Sequence, residues 1–288
     1  MQTTQEILEK HNLNWEVEKL PLYYKNEYDD NEYTDYYAIV RKDTREVFTT
    51  CKEGYRPTQN EKIIKTMQEI AGNNNLHITK AMPLHGGRKI MVQMKRPDNK
   101  FSIGKDETEQ YIYAINGHDG TSSLRFGFMN EVMFCRNQFA WMTNNALSAY
   151  RHTESIQRKV EELPKIINFT DQEEKIFDLQ QFSIEKIDPI IINQLVDYLT
   201  NTDRELTEDE RLEMLSTRKL NMRANLMTCL HSELHRIGGT KWGAFNGVTK
   251  FTTHFKSTPK REFGLEESIY SGSCMSWNNK AFNFLKEN

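Results

Sequence analysis

The stretch Tyr111–Thr153 reads YIYAINGHDGTSSLRFGFMNEVMFCRNQFAWMTNNALSAYRHT, and the fold class turns on it. Two apolar, β-rich runs flank a polar turn, Asn116-Gly117-His118-Asp119-Gly120-Thr121. Two glycines with an Asn and an Asp between alternating runs signal a hairpin. Its strands are expected to bury Ile112, Ala114, Leu124, Phe126 and Phe128. Its turn is expected to present His118 and Asp119 to solvent or to a partner. A helical pattern is expected to follow and to end near Arg151-His152-Thr153.

Upstream, residues 3–11 read as a short helix. Lys25–Tyr37, KNEYDDNEYTDYY, is acidic and tyrosine-rich and reads as a solvated loop. Tyr37–Val40 and Val47–Thr50 flank RKDTRE as a second hairpin. Thr58 and Glu61 fit a capping box, and Ile63, Ile64, Met67, Ile70 and Ala71 recur at helical spacing up to Gly72. Two more strands are expected around His85-Gly86-Gly87.

Downstream of Thr153 the texture turns helical. Thr170 and Glu173 fit a capping box, and Asp188-Pro189 places an N-cap before a proline at the first helical position. Thr207–Glu210 is expected to open the longest helix, with an apolar stripe of Leu212, Leu215, Met222, Leu226, Leu230, Leu234 and Ile237. His235 and Arg236 suit its last turn, and Gly238-Gly239 its end. The pattern predicts an α+β fold: an antiparallel sheet with packed helices over 1–153, and a mostly helical 154–288 packed on it, two regions or one domain overall.

At 288 residues, 37% apolar and 27% charged, the chain can bury a substantial core. A net charge of −3 excludes whole-molecule attraction to nucleic acid, so such a role needs segregated charge. Cys51, Cys135, Cys229 and Cys274 lie far apart, which fits free thiols in a reducing compartment. The first fifteen residues are too polar for a signal peptide, and no apolar run approaches a membrane span. These features together predict a cytoplasmic protein without membrane partners.

Gly238–Arg261 carries Lys241, Lys250, Lys256, Lys260 and Arg261 with no Asp or Glu, interleaved with Trp242, Phe245, Phe251 and Phe255. Cations for phosphates and aromatic faces for bases are what single-strand binding requires. The same spacing also fits an amphipathic helix with the aromatics in the core and lysines outside. A second basic run holds Arg88, Lys89, Lys95, Arg96, Lys100 and Lys105, and Arg151 could extend the track. His231 and His235 stand at the i, i+4 spacing of a metal pair, although a helix's last turn favours histidine without any metal. His118, Asp119 and His152 could form an acid/base site if the fold unites them. Nucleotide-binding loops, hydrolase elbows and kinase signatures are all absent from the sequence, and no cofactor is expected.

Read together, Val40–Asp43, Tyr55–Asn60, Asn116–Gly120, Cys135–Asn137, Arg151–Thr153 and Trp242–Thr249 resemble the phage- and plasmid-borne family known only as domain of unknown function nine hundred thirty-two. The pieces run in the family's order from about Trp15 to His254. Gly117 stands where the family usually has Ser, and Gly247 where it usually has Ala, which puts backbone-flexible residues at both positions. The resemblance implies a mobile-element origin and action inside a bacterial host, without an assigned activity. The strand and helix order also looks like the core of single-strand annealing proteins, an analogy of fold that implies a homo-oligomer.

The leading expectation is therefore a non-enzymatic, single-strand-preferring DNA-binding protein of recombination or replication. There, Lys241, Lys250, Lys256, Lys260 and Arg261, with Arg88, Lys89, Lys95, Arg96 and Arg151, would neutralise phosphates, and Trp242 and Phe245 would stack bases. The alternatives are a protein-binding accessory factor, such as a host-defence inhibitor using Tyr23–Tyr37, and a metal-dependent hydrolase using His118, Asp119 and His152.

Overall fold

The structure is a computed structural model that describes residues 2–73, 75–142, 149–153, 155, 156, 158, 170–202 and 207–288. The fold is α+β. Its first part runs α1 (Thr4–Lys10), β1 (Val17–Lys25), β2 (Asn31–Arg41), β3 (Val47–Lys52), α2 (Asn60–Asn73), β4 (His77–Leu84), β5 (Lys89–Ile103), β6 (Asp106–Gly117), β7 (Leu124–Val132), β8 (Gln138–Met142) and β9 (Ala149–Tyr150). Helices follow: α3 (Thr170–Ile184), α4 (Pro189–Thr200), α5 (Glu208–Met214), α6 (Thr217–Ile237), α7 (Lys241–Lys250), α8 (Gly264–Ser271) and α9 (Ser273–Glu287). One sheet has the order β1-β2-β3; the other has β4-β5-β6-β7-β8, with β9 pairing β7.

The chain divides into two compact units, each assembled from separated stretches. The first is Met1–Asn99, Tyr111–Phe128 and Met142–Phe169; the second is Lys100–Gln110, Met129–Trp141 and Thr170–Asn288. In the first, α2 buries Ile63, Ile64, Met67, Ile70 and Ala71, the stripe its helical periodicity predicts. The β6–β7 hairpin also buries Ile112, Ala114, Leu124, Phe126 and Phe128 as expected. In the second, α6 and α7 approach closely because α7 offers glycine at i, i+4. A Cβ at Gly243 would lie 2.6 Å from the Gly238 carbonyl, and one at Gly247 would lie 2.6 Å from Leu230 Cα. Asp188 caps α4 ahead of Pro189 as predicted, and Gly238 ends α6 with φ 114°.

Several local expectations are corrected. Residues 138–142 and 149–150 are strands rather than parts of a helix; residues 143–148 lie outside the described residues. Gln-Phe-Ala-Trp-Met is a short apolar run whose periodicity fits either state, and the free edge of β7 decided it. Helix α2 starts at Asn60, and the Thr58 hydroxyl lies 3.5 Å from His152 Nδ1 instead of capping. Thr207 and Glu210 do form a capping box, but it opens the short α5. The longest helix, α6, starts anew behind Ser216, whose side chain accepts from the Lys219 amide. The side chains of Thr170 and Leu212 lie outside the described set.

Lys25–Tyr37 is a strand-turn-strand and not a loop. Strands β1 and β2 continue antiparallel through Tyr23↔Tyr33 and Lys25↔Asn31. Tyr and Thr favour a pleated surface strongly enough to outweigh the acids. Strand β3 reaches only Tyr36 on β2, so the pairs from Tyr23↔Tyr33 to Lys25↔Asn31 form a two-stranded ribbon beyond the three-stranded sheet.

Candidate functional site

Three of the quoted motifs meet inside the first unit. The Arg56 amide donates to the His152 carbonyl at 2.9 Å, and the Tyr55 hydroxyl to the Gly117 carbonyl at 3.3 Å. Asn116 Nδ2 donates to the Thr58 carbonyl at 3.1 Å. Asn60 is the centre of the junction. Its amide nitrogen donates to the carbonyls of Leu13 (3.0 Å) and Trp15 (3.2 Å), so its Oδ1 is an acceptor. His118 Nε2, 2.9 Å from that oxygen, must carry the hydrogen. The ring sits edge-on to Trp15 at 5.4 Å and stacks on Phe48 at 6.4 Å, and Arg41 lies 4.5 Å above the Trp15 ring.

His118 is fully buried, which corrects the expectation that the turn exposes it. Its partners Trp15 and Asn60 lie far back in the chain, so no local pattern announces them. Burial pushes its pKa down from 6.5 to about 3, reinforced by the nearby His152, with Asp119 opposing. Burial also lowers the pKa of His152, against carbonyl hydrogen bonds that raise it. Asp119 turns inward on its own loop, accepting from the Thr121 amide (3.0 Å) and hydroxyl (2.8 Å), an Asx-type turn. His118, Asp119 and His152 are thus brought together, but the two buried imidazoles, held neutral by burial, act as pins between segments, His118 to Asn60 and His152 to Thr58. Reacting groups need an approach for substrate, and neither ring has an exposed face.

Two further motifs meet in the second unit. Asn137 donates to Asn246 Oδ1 (2.5 Å) and to the Asn246 carbonyl (3.2 Å). Asp106 is buried and accepts from Arg236 at 2.6 and 3.2 Å, from Trp242 Nε1 at 2.9 Å and from Asn246 at 3.3 Å. Arg236 also reaches Glu233 at 2.7 Å. Desolvation works against the guanidinium's charge, yet the Asp106 and Glu233 bonds hold its pKa above the usual value.

This network decides the fate of the basic–aromatic segment. Trp242 and Phe245 are core residues, so in this fold neither face can stack on a base. Lys250 pairs with buried Glu233 (2.9 Å), Lys241 with Glu185 (2.5 Å) and Arg261 with Glu267 (2.5 Å). The core reading of the aromatics holds, except for Phe255, which is 55% exposed. Lys256 donates to Ser273 Oγ and sits 5.7 Å above the Trp277 ring, while Lys260 is exposed. In the first unit, Arg88 bonds Glu46 (3.2 Å) and the Phe48 carbonyl (2.9 Å), and Lys89 is 4.0 Å from Asp119. Lys95 lies 5.5 Å above the Tyr111 ring, and Arg151 is exposed. The Arg96 side chain lies outside the described set. His231 and His235 are both exposed, and among the described residues no cluster of metal-binding side chains forms.

Among the described residues, the largest group of exposed aromatics lies on the β1–β2 ribbon. Tyr28 is 77% and Tyr33 69% exposed, and Tyr23, Tyr24 and Tyr36 are about half exposed. Tyr23 and Tyr33 meet edge-on at 5.9 Å across the strands. The Tyr24 hydroxyl donates to Glu32, which raises its pKa. Glu27, Asp29, Asp30, Glu32 and Asp35 surround these rings, against a single cation, Lys25, which pairs with Asp29.

Sequence reasoning missed Trp15, Asn60 and Asp106 as junction residues. Asn60 closes one of the quoted motifs, which was the available signal; Trp15 and Asp106 carried none. Among the described residues no helix is long and apolar enough to cross a membrane. No curated protein and no solved structure matches the chain. The family model described as Domain of unknown function (DUF932) matches residues 47–270, a span that includes Asn60, His118, His152, Asp106 and Asn246, and the chain belongs to that family.

Proposed function

We propose that this protein is a non-catalytic accessory factor that acts by docking onto another protein through its β1–β2 ribbon. One observation carries the reading: a ribbon with tyrosines exposed on both faces and no cover from β3. Large exposed aromatics contribute little to their own fold, and tyrosine is the residue that interfaces favour. The ribbon also lies ahead of residues 47–270, which match the family model. In this reading the protein serves a phage or plasmid inside a bacterial cell, for example by restraining a host defence. The test compares capture from host lysate by the wild-type chain and by Tyr28→Ser/Tyr33→Ser. Each buried tyrosine anchor is worth about 2 kcal/mol, or roughly thirtyfold in affinity. Equal capture by both forms would remove the ribbon from the reading.

A second reading keeps single-stranded DNA as the ligand, in recombination or replication. It rests on the one accessible aromatic–cation patch of the predicted segment: Phe255, Lys256 above Trp277, and Lys260. Fluorescence anisotropy with labelled single and double strands at several salt concentrations, with the particle mass measured on the same sample, tests it. Lys256→Glu/Lys260→Glu should weaken binding and flatten its salt slope. Unchanged binding would discard the patch.

A further inference from the structure

The chemistry of the ribbon identifies its occupant more closely, and this step rests on the docking reading above. A partner must bury flat aromatic rings and neutralise carboxylates together. Residues 23–35 hold four tyrosines and five acids against one lysine. Successive residues of an antiparallel strand alternate faces at a rise of about 3.4 Å, so rings and carboxylates interleave along both faces. The turn Asn26–Asp30 is held by Asn26 Oδ1, which accepts from the Tyr28 and Asp30 amides at 2.9 and 3.0 Å. That turn fixes Tyr28 at the tip among Glu27, Asp29 and Asp30. Aromatic faces interleaved with anions are also what a single strand of nucleic acid offers its binding proteins, which answer with cations and stacking side chains. A groove built for such strands therefore matches the ribbon in charge sign and in ring-accepting surface.

We infer that the β1–β2 ribbon occupies the cationic, aromatic-lined groove of a nucleic-acid-binding protein and competes there with nucleic acid. A partner with a neutral apolar groove would desolvate five carboxylates against the single charge of Lys25, which disfavours it.

The experiment immobilises the full chain and offers it two fractions of host lysate, one retained on single-stranded DNA cellulose and its flow-through. Captured material is then challenged with oligothymidylate, or with neutral dextran, at constant ionic strength. The expected result is capture from the DNA-retained fraction, release by oligothymidylate and retention under dextran. Glu27→Gln/Asp30→Asn/Asp35→Asn, which alters exposed side chains only, should weaken capture about tenfold at low salt and less at high salt. Capture that depends on Tyr28 and Tyr33 but comes from the flow-through, or resists oligothymidylate, overturns the inference and leaves the docking reading standing. Capture independent of those tyrosines overturns both. Oligothymidylate binding to the chain alone at the challenge concentration also counts against the inference, because release would then report on this chain and not on its partner.

Discussion

Taking the protein from pH 7 to pH 5 protonates a histidine in an unfolded chain but not one held as His118 is. Its folded pKa, about 3, lies below the ordinary 6.5. Between those values the unfolded state binds one more proton than the folded state, so stability falls as pH falls. The loss starts as pH drops through the unfolded value and ends only near the folded one. One such proton gives a slope of ~1.4 kcal/mol per pH unit, which integrates to about 2 kcal/mol between pH 7 and pH 5. His152, shifted in the same direction, adds to this. The charged and titratable neighbours are His152, Asp119 and Lys89; Asp119 opposes the shift without cancelling it. The assay is urea unfolding at stepped pH, with amide exchange followed in peptides from 111–120 so that the first unit is read by itself. His118→Gln can still donate to Asn60 Oδ1 but does not titrate, so its stability should fall about 2 kcal/mol less over the same interval. Parallel losses in both proteins would refute the account of His118 as a neutral pin.

Asn60→Ala removes the donor to Leu13 and Trp15 and the acceptor for His118, leaving buried groups unsatisfied; a loss of about 3 kcal/mol is expected in thermal or urea unfolding. Arg236→Ala leaves buried Asp106 without its counter-charge and should cost about 3–5 kcal/mol, read by exchange in the 217–250 peptides. Gly247→Ala pushes a methyl against the α6 backbone at Leu230 and should cost about 1–3 kcal/mol by urea midpoint.

The glycine departures illustrate what sequence could tell and what it could not. Gly117 and Gly247 read as points of backbone freedom, but their role is close approach. A Cβ at Gly117 would stand 2.7 Å from the Ser122 carbonyl, inside the hairpin loop. Elements fixed by local periodicity or turn chemistry were legible: the α2 stripe, the β6–β7 hairpin and the Asp188 cap. Features settled by distant partners were not. His118 needed Trp15 and Asn60, and β8 needed a strand edge to lie on. The basic segment looked free of acids because its window stopped short of Glu233 on one side and Glu267 on the other, the residues that pair with Lys250 and Arg261.

The scattered make-up of the second unit constrains how the chain is born. Asp106 emerges from the ribosome 130 residues ahead of Arg236. At ordinary synthesis rates that interval is roughly 6–26 s. During it Asp106, on β6, and Asn137, in the β7–β8 turn, are exposed without the helices that close over them. The first unit draws on nothing beyond Phe169 and can complete itself in the meantime. The nascent chain therefore passes through a half-finished state whose second-unit strands lack their helices, and a chaperone dwelling on residues 100–110 and 129–141 until α7 appears would meet its most vulnerable form.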